Sequence, residues 1–205
     1  MISADTIAAI EHLRQSDPAL RAVVDRMEVP PLESTGNVYE DALSCVLDMR
    51  IHYTPTNAAF RFKRLKTLYP FELQPETEVP QDVVLALKLS YQKSDAWKAL
   101  RDVARRDLWP ELDWTAMPDD EVIRRLTEVP GLGLWSAQMI LLFTLGRPEI
   151  FPREDYQIRK AVCELYGYSE SDYAARIDRL VERWQPHAAL AARYLYRFRN
   201  PGKNK

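Results

Sequence analysis

The chain has 205 residues, 46% of them apolar and 28% charged, enough to bury a sizeable core in one large domain or two small ones. The net charge of −2 excludes a protein that coats nucleic acid over its whole surface, so any contact with DNA must be local. No apolar run approaches the roughly 18 residues that span a bilayer, the longest candidate lying around Met139 to Leu145, and only two cysteines, Cys45 and Cys163, exclude a four-cysteine zinc or iron–sulfur site.

The opening MISADTIAAIEHLRQ carries acids and lacks both a basic start and a long apolar stretch. It does not read as a secretion signal, and a cytoplasmic location is expected. Asp17 followed by Pro18 is an N-cap with proline at the first helical position; it opens a helix through Leu20, Val23, Val24 and Met27, which Pro30 and Pro31 end. Asn37 can cap the next helix, whose apolar positions Val38, Ala42, Cys45, Val46 and Met49 form a buried stripe. After a bend at Thr54 and Pro55 a helix runs to about Leu68, and Phe71 to Pro80 reads as loop. Helices are expected over 82–89 and 95–108, the second burying Trp97, Leu100, Val103 and Ala104. Both cysteines fall inside amphipathic patterns and read as core thiols. No strand pair is evident, so the fold class is all-α.

From Pro118 the signals sharpen. Asp119, Asp120 and Glu121 make an acidic first turn leading into Val122, Ile123 and Leu126, and that helix stops at Val129 and Pro130. Gly131 and Gly133 then make a tight turn, and an apolar helix follows from Leu134 to about Leu145 before Gly146 closes it. Helix, Pro-Gly-x-Gly, helix is a hairpin with a physical use. Glycines let the backbone approach a phosphate, whose charge meets free amides at a helix N-terminus, here over Gly131, Gly133, Leu134 and Ser136. Such a contact positions DNA without reading sequence. The bare pattern also serves two packed helices that bind nothing. Basic residues gather at Arg61, Lys63, Arg64 and Lys66, at Arg101, Arg105 and Arg106, and at Arg193, Arg197, Arg199 and Lys203; each cluster alone reads as a solvated helix face.

The stretch LTEVPGLGLWSAQMILLFTLGRPEIFPREDYQIRKAV, Leu126 to Val162, resembles the signature of the helix-hairpin-helix DNA glycosylase superfamily, specifically its 3-methyladenine glycosylase II branch. Hairpin, Gly-Arg-Pro, Phe-Pro and Asp-Tyr occur in order at the family's separations. WQPHAALAARYLYR, Trp184 to Arg197, is similar to that branch's last core helix, while residues 17–108 match only loosely. The resemblance implies a two-lobed helical bundle with a DNA-binding groove between the lobes. One lobe would span residues 37–146, with the hairpin at about 126–138; residues 1–36 and 147–205 would form the other.

In that family the aspartate after the Phe-Pro segment is catalytic, and the matching position is Asp155. A carboxylate at the start of the helix carrying Ile158, Val162 and Leu165 is favoured in its charged form by the helix dipole; it can face the positive sugar that develops as a base departs, or orient the attacking water. Read without the resemblance, Asp155 and Glu154 sit where an N-cap belongs. An N-alkylated purine already carries positive charge and leaves as a neutral base, so the acid and base pair of many sugar hydrolases is not required. The resemblance also places Trp135, Met139 and Tyr196 around the flipped base, with Tyr156, Tyr194 and Trp184 as secondary candidates; aromatic faces suit an electron-poor ring. Relatives that also cut the backbone carry a lysine nucleophile where this chain has Trp135, so monofunctional chemistry is implied.

The chain departs from the family over VLDMRIHYTP, Val46 to Pro55, where relatives have a glycine, a glutamine and an apolar wedge. Asp48, Met49, Arg50 and His52 stand there instead, and Arg50 is the candidate plug. His187 and Ala188 replace an aromatic and an arginine common in the last helix. An amino-terminal sheet domain found in some relatives is missing. The expected protein is thus a monomeric glycosylase of alkylated bases in double-stranded DNA, with no membrane partner, no catalytic metal and no cofactor. The resemblance allows a monovalent cation between hairpin carbonyls and a phosphate. Two rivals stay open: the same fold acting on another damaged base, and a DNA-binding module without catalysis. A helical adaptor unrelated to DNA would leave the order of motifs unexplained.

Overall fold

The computed structural model describes residues 3–32, 34–48 and 60–199, and all their regular structure is helical. Eleven α-helices follow in chain order: α1 (Ala4–Ser16), α2 (Pro18–Val24), α3 (Val38–Asp48), α4 (Phe60–Leu68), α5 (Gln81–Ala86), α6 (Tyr91–Arg106), α7 (Asp119–Thr127), α8 (Leu134–Met139), α9 (Tyr156–Tyr166), α10 (Glu170–Trp184) and α11 (Ala188–Arg199). A short 3-10 turn lies at Trp109–Glu111, and a π-helical segment, Ile140–Thr144, continues α8. The chain divides into two compact units, Met1–Leu32 with Gly146–Lys205, and Glu33–Leu145. No described helix is long and apolar enough to cross a membrane.

In the first unit α11 lies against α9 and α2, and α1 against α2 and α10. Ala188, Ala189, Ala191 and Ala192 are buried on α11, and their small side chains let neighbouring backbones come close; Leu190, Tyr194 and Leu195 fill the remaining space. Asp17 is the polar centre of this packing. Its Oδ1 accepts from the amides of Ala19 and Leu20, capping α2, while Oδ2 accepts from the Tyr166 hydroxyl at 2.6 Å and the Trp184 indole N–H at 3.1 Å. The residue is 1% exposed, and four donors answer its desolvation. Burial first, and then the bond to Asp17, push the Tyr166 phenol up, so it keeps the proton it donates.

In the second unit α3 packs on α6 and α4, and α7 on α8. Asn37 caps α3 by accepting from the amides of Tyr39 and Glu40 at 2.9 and 3.2 Å, as its position predicts. Asp48, at the far end of α3, caps α4 through the amides of Arg61 and Phe62 at 3.0 and 3.3 Å. Lys93, though charged, is buried and donates to the Leu47 carbonyl, a cation at the end of α3 where the helix dipole favours one. Glu40 is buried and receives Lys66 Nζ and the Leu73 amide, both at 2.7 Å.

Several expectations change here. The apolar helix after the hairpin does not run as one α-helix to Leu145, because five residues adopt π geometry, closed by the Leu145 amide on the Ile140 carbonyl at 2.9 Å. Trp97 is half-buried rather than core. Lys66 answers Glu40, Arg105 pairs with Glu78, Arg106 with Asp107 and Glu128, and Arg199 with Glu164, so each basic cluster is paired in part within the chain.

Candidate active site

The predicted site residues fall in both units, described in turn. In the second unit the hairpin joins α7 to α8. Val122 and Leu126 hold α7 in the core, and the Leu132 amide on the Val129 carbonyl at 3.0 Å closes the turn. Gly131 has φ +98°, a conformation that favours glycine. Gly133 does not: its φ is −112°, which any residue adopts, and a Cβ there would meet nothing within 4 Å. Its lack of a side chain serves no packing within the protein, which leaves room for something outside it. The Ala137 amide donates to the Gly133 carbonyl at 3.1 Å, so the amides of Leu134, Trp135 and Ser136 belong to the turn that has no acceptor within its own helix.

Leu134 and Trp135 project from that turn, 52% and 46% exposed, in contrast with the buried Ser136 and Ala137 behind them. Ser136 faces inward beside the Cys45 thiol, which burial, with the charges of Asp41 and Asp48, pushes up to about 12. The serine can therefore offer a ligand its amide but not its hydroxyl. Met139, one helical turn beyond Trp135 on the same face, is half-buried.

In the first unit Asp155 is the N-cap of α9. One carboxylate oxygen accepts from the amides of Gln157 and Ile158 at 2.7 and 2.9 Å, and the residue is 7% exposed. Capping role and candidate catalytic role therefore fall on one side chain, held in a single orientation at the positive end of the helix. The preceding loop is laced down. Phe151 and Pro152 are buried, the Phe151 ring lies 5.3 Å from that of Trp184, and the Asp155 amide returns to the Pro152 carbonyl at 3.0 Å. Tyr173, from α10, donates its hydroxyl to the Arg153 carbonyl; burial, and then the charge of Glu154, push this phenol up, so it stays a donor. The Ala189 amide of α11 bonds the Pro148 carbonyl at 2.9 Å.

Of the remaining candidates, Tyr196 is half-buried on α11 and Tyr156 is exposed beneath the cations of Arg159 and Lys160, 5.9 and 5.6 Å from its ring. Tyr194 and Trp184 are corrections: both are fully buried core, and the Trp184 N–H is committed to Asp17. Arg50, together with Met49 and His52, lies outside the described residues. Among the described residues no group of three His, Cys, Asp or Glu side chains could hold a metal ion. Tyr173 and Asp17 were not foreseen in these roles, since their partners sit far along the chain.

No protein-family model matches the chain. It is 26% identical over 162 residues to DNA-3-methyladenine glycosylase 1 of Schizosaccharomyces pombe, an alignment covering 78% of this chain and 71% of that protein. The structure of a 3-methyladenine DNA glycosylase of the same yeast in complex with abasic DNA superposes with a TM-score of 0.80 at 24% identity, covering 93% of this chain and 95% of that one. A DNA-3-methyladenine glycosidase from Bacillus halodurans gives a TM-score of 0.71 at 20% identity, over 94% and 89% of the two chains. The chain therefore has the all-helical fold of these helix-hairpin-helix glycosylases.

Proposed function

We propose that this protein is a DNA-3-methyladenine glycosylase of the glycosylase II branch, hydrolysing the N-glycosidic bond of alkylated bases in double-stranded DNA without a lyase step. The observation that carries the reading is the laced, buried carboxylate of Asp155 at the start of α9, following the Phe-Pro segment. As a cationic purine leaves, positive charge moves onto the sugar, and a fixed carboxylate stabilises it or orients the water that adds there. Trp135 and Met139, on one face of α8, take the extruded base, the indole stacking on a ring made electron-poor by alkylation; Tyr196 on α11 keeps the base-binding role that the resemblance implies. The hairpin amides take a phosphate. Trp135, where a lyase would carry its lysine, offers no amine for a Schiff base.

A monovalent cation at the hairpin belongs to the same proposal. The Val129 and Gly133 carbonyls each accept one amide and keep a second lone pair, an all-oxygen donor set that a hard cation accepts. Bound there, the ion would offset phosphate charge. The same reading assigns a cytoplasmic enzyme acting as a monomer, with free thiols at Cys45 and Cys163 as a reducing compartment maintains them.

A panel of duplexes, each carrying one defined lesion and scored for abasic sites, tests the substrate class: excision of N-alkylated purines is expected, and activity confined to oxidised or deaminated bases would replace the reading. In the same panel Trp135→Ala should lose discrimination for cationic bases by about 1–3 kcal/mol, the worth of a stacking face, while retaining its affinity for undamaged duplex. Unchanged discrimination would make Trp135 packing only.

Gly133 provides a clean test of the hairpin. Gly133→Val should melt as the wild type does, since its Cβ meets open space, yet bind duplex roughly tenfold or more weakly whatever the sequence, through loss of charge-assisted bonds to phosphate. Equal affinity at equal stability would remove the hairpin from the DNA contact.

A further inference from the structure

A second cavity, of about 300 Å3, lies wholly within the second unit and shares no residue with the hairpin or with the segment before α9. Tyr39 of α3 and four residues of α6, Ser94, Trp97, Lys98 and Arg101, line it together with α5 and the loop before it, whose one acid at the cavity, Glu78, is paired with Arg105. The α6 residues recur at i, i+3, i+4 and i+7, so they share one helical face beside the stripe of Ala96, Leu100, Val103 and Ala104 that packs into the core. A solvated face has no use for a half-buried tryptophan, and a packed face has none for two cations.

Those cations are the unusual part. Arg105 and Arg106 on the next turn are paired with Glu78 and Asp107. Arg101 makes no hydrogen bond or ion pair with any described residue, and its Nε is enclosed without an acceptor. Lys98 reaches an acid only at the 4.0 Å limit, on Asp95. A guanidinium without an acid partner in the chain can take an anion from outside it, and its planar fork matches a phosphate. Beside it the Tyr39 hydroxyl is buried, and burial pushes the phenol up against the opposing pull of Trp97 and Arg101, so it remains a neutral hydrogen-bonding group. The cavity thus offers an aromatic face, a neutral hydroxyl, an arginine without an acid partner and a lysine held only at the limit of an ion pair, at the small end of the range for ligand sites.

We propose that this cavity binds a single nucleotide, its base against Trp97 and its phosphate on Arg101 and Lys98. Base stacking on an aromatic ring is tolerant of base identity, so purines and pyrimidines both fit the chemistry. The nucleotide comes either free from solution or as the 5′-phosphorylated end of a single strand, and the site does not depend on the glycosylase reading.

Isothermal titration of the full chain with dAMP, deoxyadenosine, inorganic phosphate and a 5′-phosphorylated single-stranded hexanucleotide separates these cases. Saturable binding of dAMP or of the hexanucleotide is expected, at least tenfold tighter than deoxyadenosine or phosphate alone. Arg101→Gln should weaken it tenfold or more while leaving melting temperature and base release at wild-type values; Trp97→Leu should weaken it as well, with melting run alongside. Tighter binding of the hexanucleotide, if lost in Arg101→Gln, assigns the strand end; equal or weaker binding assigns the free nucleotide. The proposal is overturned if neither ligand saturates, if the nucleoside or phosphate alone binds as well as dAMP, or if Arg101→Gln binds as the wild type does.

Discussion

Asp155→Asn is expected to fold, to bind DNA and to release base on the order of a hundredfold more slowly, or slower still. The amide oxygen of asparagine can accept the same two bonds from Gln157 and Ile158, so the cap survives at little cost. What is deleted is the negative charge that, in the proposed reaction, would face the cationic sugar, and preorganised electrostatic groups of this kind are typically worth two to three decades in rate. Glu154→Gln removes a neighbouring exposed carboxylate in the same way and should cost little. Single-turnover base release at saturating enzyme, with thermal unfolding on the same samples, makes the comparison. A wild-type rate in Asp155→Asn would leave the residue a cap and nothing more.

The second large effect falls on stability. Asp17→Ala deletes the cap of α2 and leaves the Tyr166 hydroxyl and the Trp184 N–H without their buried acceptor. A lost aspartate cap costs about 1 kcal/mol and each of the two orphaned buried donors about 1–3, so the variant should lose roughly 3–7 kcal/mol and melt about 10–20 °C lower. Tyr166→Phe, which removes one donor and leaves Asp17 three, should lose only about 1 kcal/mol. Because Asp17 ties α2 to α9 and α10 rather than touching DNA, base release per folded molecule should be preserved below the transition. Equal melting temperatures for Asp17→Ala and Tyr166→Phe would dismiss the shared-acceptor account.

What could be read in the sequence was whatever is settled locally. Asp17–Pro18, Asn37 and the acidic start of α7 mark helix starts that the structure keeps, because a cap depends on two or three consecutive residues. The hairpin and the Phe-Pro-x-x-Asp segment were legible for the same reason. Elements whose signal is spread thinly were not. Only Ala9 and Leu13 of α1 are buried, which gives it almost no apolar stripe, and α10 was not foreseen despite its Ser169–Asp172 capping box. The π geometry of Ile140–Thr144 is invisible in a continuous apolar run, where every register buries something. The candidate Asp155 was legible as a position, but the bond that ties down the loop before it was not, since Tyr173 reaches back 20 residues to Arg153; nor, elsewhere in the same unit, was the bond from Tyr166 to Asp17 across 149. Trp184 and Tyr194 were misjudged because buried and ligand-facing aromatics share the same helical spacing.

The division of the chain also sets an order of assembly. Helices α1 and α2 pack with α9, α10 and α11, while everything from α3 to the π-helical segment forms a unit of its own. During synthesis the second unit is therefore complete while Leu13, Leu20, Val23 and Val24, made first, still wait for the helices that will cover them. Residues translated before the second unit are thus buried only after it is finished. Their apolar surface is open to chaperones, or to other nascent chains, for the whole time the ribosome spends on the unit in between.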